Sequence, residues 1–339
     1  MQKVKKMKNT VKKILCLVLA LSVAACFAAC TGTQNNETTT AGNADDVTYT
    51  VGICQLVQHA ALDAATEGFQ AALKEKLGDK VTFSVQNASG ENTNCTTICG
   101  QFVADKVDLI MANATGALAA AAAATEEIPV VGTSITDYAS ALGITDWTGK
   151  TGFNVTGASD LAPLDQQAAM IKELCPDAET VGILYCSTEA NSKYQSDVIT
   201  EDLEALGLTV KVFTFVDSND IISVTTQAAE ECDVLFAPTD NQVASNVEAI
   251  NNVLEPMNIP LVAGEAGICE GCGIATLSIS YYDMGYAAGM MAYEILVNDA
   301  DPATMEIQYS TELTKQYMSA RCEALGITVP DTYEALDAE

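Results

Sequence analysis

Basic residues are scarce and arginine almost absent: 339 residues carry 16 lysines and arginines against 45 acids, and Arg321 is the only arginine. There is one histidine, His59, one tryptophan, Trp147, and an aromatic fraction of 6%. Acidity on this scale repels a phosphate backbone, so nucleic acid is excluded as a partner. A lone histidine cannot supply a histidine-based metal site, and no metal or cofactor is expected. With Arg321 close to the C-terminus, a bidentate arginine clamp for a carboxylate is missing too, which leaves backbone amides at helix starts for that task. No apolar run reaches the roughly 20 residues that a membrane-spanning helix requires.

The longest uncharged apolar run, Ile14 to Ala25, instead follows six lysines, at positions 3, 5, 6, 8, 12 and 13, which is the arrangement of a secretory signal. Small residues close it ahead of Cys26 (Val23-Ala24-Ala25-Cys26) and again ahead of Cys30 (Phe27-Ala28-Ala29-Cys30), resembling a bacterial lipobox written twice. Residues 1–25 are therefore expected to be removed and Cys26 lipidated, with Cys30 as the alternative. Residues 26–47 have too little apolar content to offset the entropy of ordering and are expected to be a flexible tether. Cleavage removes six lysines and no acid, leaving ten basic residues and a formal charge of −35. The expected location is the extracytoplasmic face of the membrane.

Some 290 residues remain, more than one core usually organises, so two domains are expected. The twelve cysteines do not read as a disulfide framework, because the body is neither small nor loop-rich. Cys54, Cys175, Cys186 and Cys232 sit singly in apolar segments and read as small buried hydrophobes. Cys269 and Cys272 have the spacing of a redox or zinc half-site, but a turn holding two thiols, free or bridged, fits better.

From Thr48 the chain alternates β-rich runs with helical stretches. Strands are predicted at 48–56, 81–86, 107–112 and 129–132, with helices at 60–77, 92–104 and from Thr115. After a turn-rich stretch at 138–150 the rhythm restarts, with helices at 162–174, 191–206, 221–230 and 242–255 and strands at 180–185, 209–215, 233–237 and 260–263. Strand, helix, strand in this order means parallel sheets. The fold class is α/β, as two doubly wound parallel-sheet lobes joined by a hinge. The first lobe is assigned residues 48–158 with 281–306, the second 159–280 with 307–335.

Ligands of open parallel sheets bind at the strand C-terminal ends. Those ends are polar here. In the first lobe they carry Gln55 and His59, then Thr115 and Gly116, then Thr136 and Asp137. In the second they carry Glu189, Asn191 and Ser192, then Thr239, Asp240 and Asn241, then Glu265.

With these segments in view the chain resembles the ABC-transporter solute-binding lipoproteins that include tryptophan- and other aromatic-amino-acid-binding members. The resemblance runs from Val51 to Ile327. It rests on QHAALDAATEGF (58–69), KVDLIMANATGALAAA (106–121), NVTGASD (154–160), EANS (189–192), PTDN (238–241) and ISYYDMGYAAG (279–289). It implies a type I periplasmic-binding fold that closes over one solute and presents it, unaltered, to the transmembrane subunits of an ABC permease, working as a monomer and not as an enzyme. Departures occur at Gln58 and Ala61, where the family usually has Glu and Pro, and at Gly116, where it usually has Pro.

A zwitterionic amino acid needs donors for its carboxylate, acceptors for its ammonium and an apolar wall. Thr115 with Gly116, and Asn191 with Ser192, open helices whose free N–H groups suit a carboxylate. Asp240 is the first expected ammonium acceptor, followed by Asp137 and Glu265, with a helix cap or solvated turn as the competing role of each. Gln55 and His59 are expected on the first-lobe wall. Trp147 either caps the pocket or packs on the surface, and Tyr281 and Tyr282 are assigned to core packing. A sugar or nucleoside binder is the alternative within this fold, and a secreted redox protein or enzyme using His59 or the Cys269/Cys272 pair the alternative outside it.

Overall fold

The computed structural model describes residues 47–337. The signal segment, Cys26, Cys30 and the tether up to residue 46 lie outside the described residues, among which no helix is long and apolar enough to cross a membrane.

A first run of elements comprises β1 (Tyr49–Gln55), α1 (Ala60–Leu77), β2 (Val81–Asn87), α2 (Asn92–Asp105), β3 (Leu109–Asn113), α3 (Thr115–Ala124), β4 (Val130–Ile135), the short α4 (Tyr138–Leu142) and β5 (Val155–Ser159). A second comprises α5 (Leu164–Leu174), β6 (Thr180–Cys186), α6 (Ala190–Ala205), β7 (Thr209–Phe215), α7 (Ile221–Glu231), β8 (Val234–Ala237), α8 (Asn241–Ala244), α9 (Val247–Met257), β9 (Leu261–Ala263), α10 (Ala266–Cys272) and β10 (Ala275–Ser278). Then follow α11 (Tyr281–Asn298), β11 (Gln308–Tyr309), β12 (Thr314–Tyr317), α12 (Ser319–Ala324) and β13 (Glu334–Ala335).

These strands form two sheets, ordered β11-β5-β4-β3-β1-β2 and β13-β12-β10-β9-β8-β6-β7. Pairing is parallel throughout except between β10 and β12. Central strands such as β3 and β8 are buried along their whole length, which is why they read as unbroken apolar runs rather than alternating ones. Each sheet has an apolar layer on both faces. In the first lobe Phe102, Leu118 and Tyr138 pack on one side and Phe69, Leu73 and Met284 on the other. In the second, Ile171 and Ile199 face one side, and Phe213, Ile250 and Ile268 the other.

The chain passes between sheets three times, at 159–164, at 278–281 and at 309–314. Helix α11, built from sequence that follows the second lobe, packs on α1 of the first. β11 pairs with β5, so the first sheet takes in Gln308 and Tyr309, and the expected boundary at 306 falls too early. Strands β5 (VTGAS) and β10 (ATLS) are not assigned from the sequence pattern because Thr, Ser and Gly interrupt their apolar residues, unlike those of the equally short β8 and β9. α5 begins at Leu164 rather than 162, with Pro163 at its N-cap. The turn-rich stretch holds α4, which Asp137 caps. Cys269 and Cys272 lie in a helix, not a turn, and are free buried thiols with no bridge. Cys54, Cys186 and Cys232 are buried as expected, whereas Cys175 is only partly so.

The α1–α11 contact explains the glycines of the 279–289 segment. A Cβ on Gly285 would overlap the Ala65 carbonyl oxygen, and one on Gly289 would lie 2.6 Å from that of Phe69. Gly68 meets the Tyr282 carbonyl in the same way from the other helix. Gly285→Leu is expected to lower stability by about 1–3 kcal/mol or more through overpacking, read as a lower urea midpoint at unchanged slope. An unchanged midpoint would show that the two backbones have room to separate.

Candidate functional site

The C-terminal strand ends of the two sheets meet across a cleft. β4 carries a register shift between Gly132 and Ile135, and Ser134 within it has φ +58, so the strand turns Thr136 toward the second lobe. Ser134 Oγ donates to Asn113 Oδ1 at 2.8 Å, while Asn113 Nδ2 donates to the Leu62 carbonyl and to Thr66 Oγ1. This buried network fixes the bulge to α1.

The lobes touch. His59 Nε2 lies 3.2 Å from Asn241 Oδ1, Thr136 Oγ1 lies 3.3 Å from Thr239 Oγ1, and Gln195 Nε2 donates to Thr136 Oγ1 at 3.4 Å. Between them an inner compartment of about 10 Å³ is lined by His59, Leu62, Thr136, Asp160, Asn191, Thr239, Asp240, Asn241, Glu265 and Tyr281, together with Ser134 and Ala244. An outer compartment of about 370 Å³ opens beside it. Its wall is apolar along α3 (Ala119, Ala120, Ala123) with Leu56 and Ala141, and polar at Asn92, Thr96, Thr115, Ser140, Thr188 and Glu189. Asn191 belongs to both compartments, and neither is lined by lysine or arginine.

The expected site residues divide accordingly. His59, Thr136, Asn191, Thr239, Asp240, Asn241 and Glu265 come together in the inner compartment, and Thr115, Gly116, Glu189 and Asn191 in the outer one. Gln55 does not face the cleft. Its amide donates to Asp63 Oδ1 and the Val57 carbonyl and accepts from Thr66 Oγ1, which ties α1 to β1. Asp137 caps α4 through Ser140 N–H and lines neither compartment. Ser192 is wholly buried and gives its hydroxyl to Asp240. Trp147 packs against the first-lobe core rather than over the cleft.

Asp240 carries the largest correction. One of its oxygens caps α8 through Val243 N–H at 2.8 Å, and the other takes Cys186 N–H at 2.8 Å and the Ser192 hydroxyl at 2.7 Å. A carboxylate so engaged holds β6, α6 and α8 together and has little left for an ammonium group. Asp160, which the sequence pattern did not single out, is the freer acid. Among the side chains of the described residues it accepts from Thr136 Oγ1 (3.1 Å) and the Tyr281 hydroxyl (3.0 Å). Tyr281 thereby joins the cleft instead of serving the core alone. Both residues sit in the crossings between lobes. Asp160 ends the quoted 154–160 segment, and that placement at a strand end was the available signal.

Burial dominates the electrostatics. It pushes the Asp160 carboxyl up to about 6, against the hydrogen bonds from Tyr281 and Thr136. It pushes Glu265 up to about 7, although Glu265 caps α10 through Gly267 and Ile268 N–H. Glu189 is raised by burial and by the charge of Asp240, Asp240 is raised by burial, and His59 is lowered by burial. Among the described residues, no group of three or more His, Cys, Asp or Glu side chains is placed to hold a metal ion.

A carboxyl raised on folding adds stability that is complete below its unfolded value near 4 and is lost as pH rises through its folded value. The protein is therefore expected to lose thermal stability between about pH 4 and pH 7, the contribution of Asp160 being gone above about 6 and that of Glu265 above about 7. Asp160→Asn and Glu265→Gln should each flatten that slope. Melting temperatures that stay level or rise over the same range in the unsubstituted chain would show these acids to be solvated.

The family model for ABC transporter substrate-binding proteins matches residues 50–337. The chain is 33% identical over 293 residues, 84% of each sequence, to a tyrosine-binding protein of Clostridioides difficile strain R20291. In three dimensions it resembles the ABC domain from Streptococcus pneumonia in complex with L-Trp, at TM-score 0.82 and 31% identity over 85% of this chain and all of that one. It also resembles the ligand-free, open structure of a Clostridium difficile substrate-binding protein with adhesive properties, at TM-score 0.66 and 32% identity over 86% of this chain and all of that one. Two parallel-sheet lobes crossed three times by the chain, with a polar cleft at their strand ends and this match over nearly all the described residues, make the protein a member of the extracytoplasmic ABC transporter substrate-binding family.

Proposed function

We propose that this protein binds an amino acid with an aromatic or large apolar side chain in the cleft, and delivers it unaltered to an ABC permease. The observation that carries the reading is the shared wall at Asn191, where an acidic inner compartment adjoins a larger alanine-lined outer one. An α-ammonium group in the inner compartment faces Asp160 and Glu265, whose burial then becomes favourable because the cation compensates their charge. The α-carboxylate meets the N–H groups of Thr115 and Gly116 at the start of α3, where no side chain caps the helix. The side chain lies along Ala119, Ala120 and Ala123. Gly116 suits this placement, since a Cβ there would overlap Asn92 Oδ1.

The two structural relatives support closure about a hinge. At nearly equal identity the chain superposes better on the L-Trp complex than on the ligand-free open form, as rigid lobes rotated apart would give. At about 10 Å³ the inner compartment holds roughly one water-sized sphere, so entry of a solute requires the lobes to part. The chain is proposed to act as a monomer without turnover, held at the membrane by lipid on Cys26, with Cys30 as the alternative.

Thermal-shift and calorimetric titrations of the purified chain with L-tryptophan, L-tyrosine, L-leucine, glucose and adenosine test the reading. An aromatic amino acid is expected to raise the melting temperature most and to be recovered unchanged. Asp160→Asn and Glu265→Gln should each weaken its binding by about 10- to 100-fold, while Ala120→Trp should block the side-chain wall. A response to glucose or adenosine with none to amino acids would overturn it.

A further inference from the structure

Glu189, immediately before α6, is surrounded by donors. Its Oε2 accepts from Asn191 Nδ2 (3.1 Å), Asn241 Nδ2 (2.6 Å) and the Asn241 N–H (3.1 Å), and its Oε1 from the Gln242 N–H (3.0 Å). All four partners only donate, so both carboxyl oxygens meet them as acceptors, and these hydrogen bonds favour the charged form against the burial that pushes Glu189 up to about 8. The nearby Asp240 does not compete for Asn241, because its oxygens are taken by Val243, Cys186 and Ser192.

The arrangement has a direction. With Nδ2 committed to Glu189, the Asn241 side-chain oxygen points the other way, to His59 Nε2 on the opposite lobe at 3.2 Å. An amide oxygen has no proton to give, so the imidazole must carry its own on Nε2. The neighbouring Gln242, whose N–H the same carboxylate holds, also reaches across. A Cβ on Gly90 of the first lobe would lie 2.7 Å from Gln242 Nε2.

We propose that Glu189, Asn241 and His59 form a directional latch between the lobes, in which Glu189 sets the amide of Asn241 and thereby selects the Nε2–H tautomer of His59 as the one that holds the cleft shut. Glu189 is then a positioning residue for closure. The latch rests on the reading that the lobes open and close around a solute, but not on which solute it is. Burial depresses the basicity of His59, which keeps the ring neutral with a single N–H to commit.

Because His59 is the only histidine, ¹⁵N-histidine labelling of the untagged full chain gives one imidazole. Long-range ¹H–¹⁵N spectra at about pH 7.5, where an unperturbed imidazole is neutral, are compared for the unsubstituted chain, Asn241→Ala and Glu189→Gln, each with and without excess L-tryptophan. The unsubstituted chain is expected as the Nε2–H tautomer. Both variants should mix tautomers, and release of L-tryptophan should speed up about 3- to 10-fold, the scale of one lost hydrogen bond. An Nδ1–H tautomer in the unsubstituted chain, or identical His59 spectra for all three chains in both conditions, would overturn the latch. If Glu189→Gln does not fold, Asn241→Ala decides alone. If no amino acid binds but the tautomers still differ, the latch stands and the ligand class proposed above falls.

Discussion

The arrangement of this molecule turns on carboxyl groups taken out of water with no cation beside them. Asp160, Glu189, Asp240 and Glu265 are all buried where the two lobes meet, and no lysine or arginine lines either compartment there. An uncompensated buried charge is among the most costly features a fold can hold. The chain reduces that cost with donors: backbone N–H groups at the starts of α8 and α10, amides from Asn191 and Asn241, and hydroxyls from Thr136, Ser192 and Tyr281. The compensation is uneven. Glu189 and Asp240 are enclosed by partners, whereas Asp160 has two neutral hydroxyls, and that difference separates acids that build the cleft from acids able to receive a cation.

The same residues connect local structure with motion. Asp160 and Tyr281 belong to two different crossings and are bonded to each other, so the pivot is itself part of the polar lining. Across the cleft the lobes meet through single hydrogen bonds between short side chains, each of modest net strength. Such contacts define a closed geometry while leaving its opening within reach of thermal energy. The cores beneath are apolar on both faces of each sheet, and such close packing resists deformation within a lobe.

Much of this was legible in the sequence, for identifiable reasons. Parallel strands buried on both faces leave unbroken apolar runs, and the helices between them leave their own period, so both sheets could be read from pattern. The polar segments after those strands do line the cleft, because the strand ends are where backbone groups and helix starts converge. Roles within the set were harder to read. Asp240 and Glu265 look alike in sequence, but Asp240 is saturated by Cys186 and Ser192, which are 54 and 48 residues away. Gln55 ends a strand like the others, yet turns to Asp63 and Thr66 at its own edge of the sheet. Asp160 is passed over and Tyr281 read as a core residue because both sit at short crossings, where neither helical nor strand period offers a signal.

The interleaved path of the backbone bears on how the protein is made. The first sheet lacks its edge strand until residues 308 and 309 arrive, and α1 lacks its glycine-packed partner until 281–298 are in place. The second sheet waits for β12 and β13 near the very end. A chain emerging from its N-terminus thus has no finished lobe to fold into until nearly all of it is through. Folding of both lobes is thereby tied to the arrival of the last thirty or so residues, and a chain shortened at its C-terminus loses a strand from each sheet.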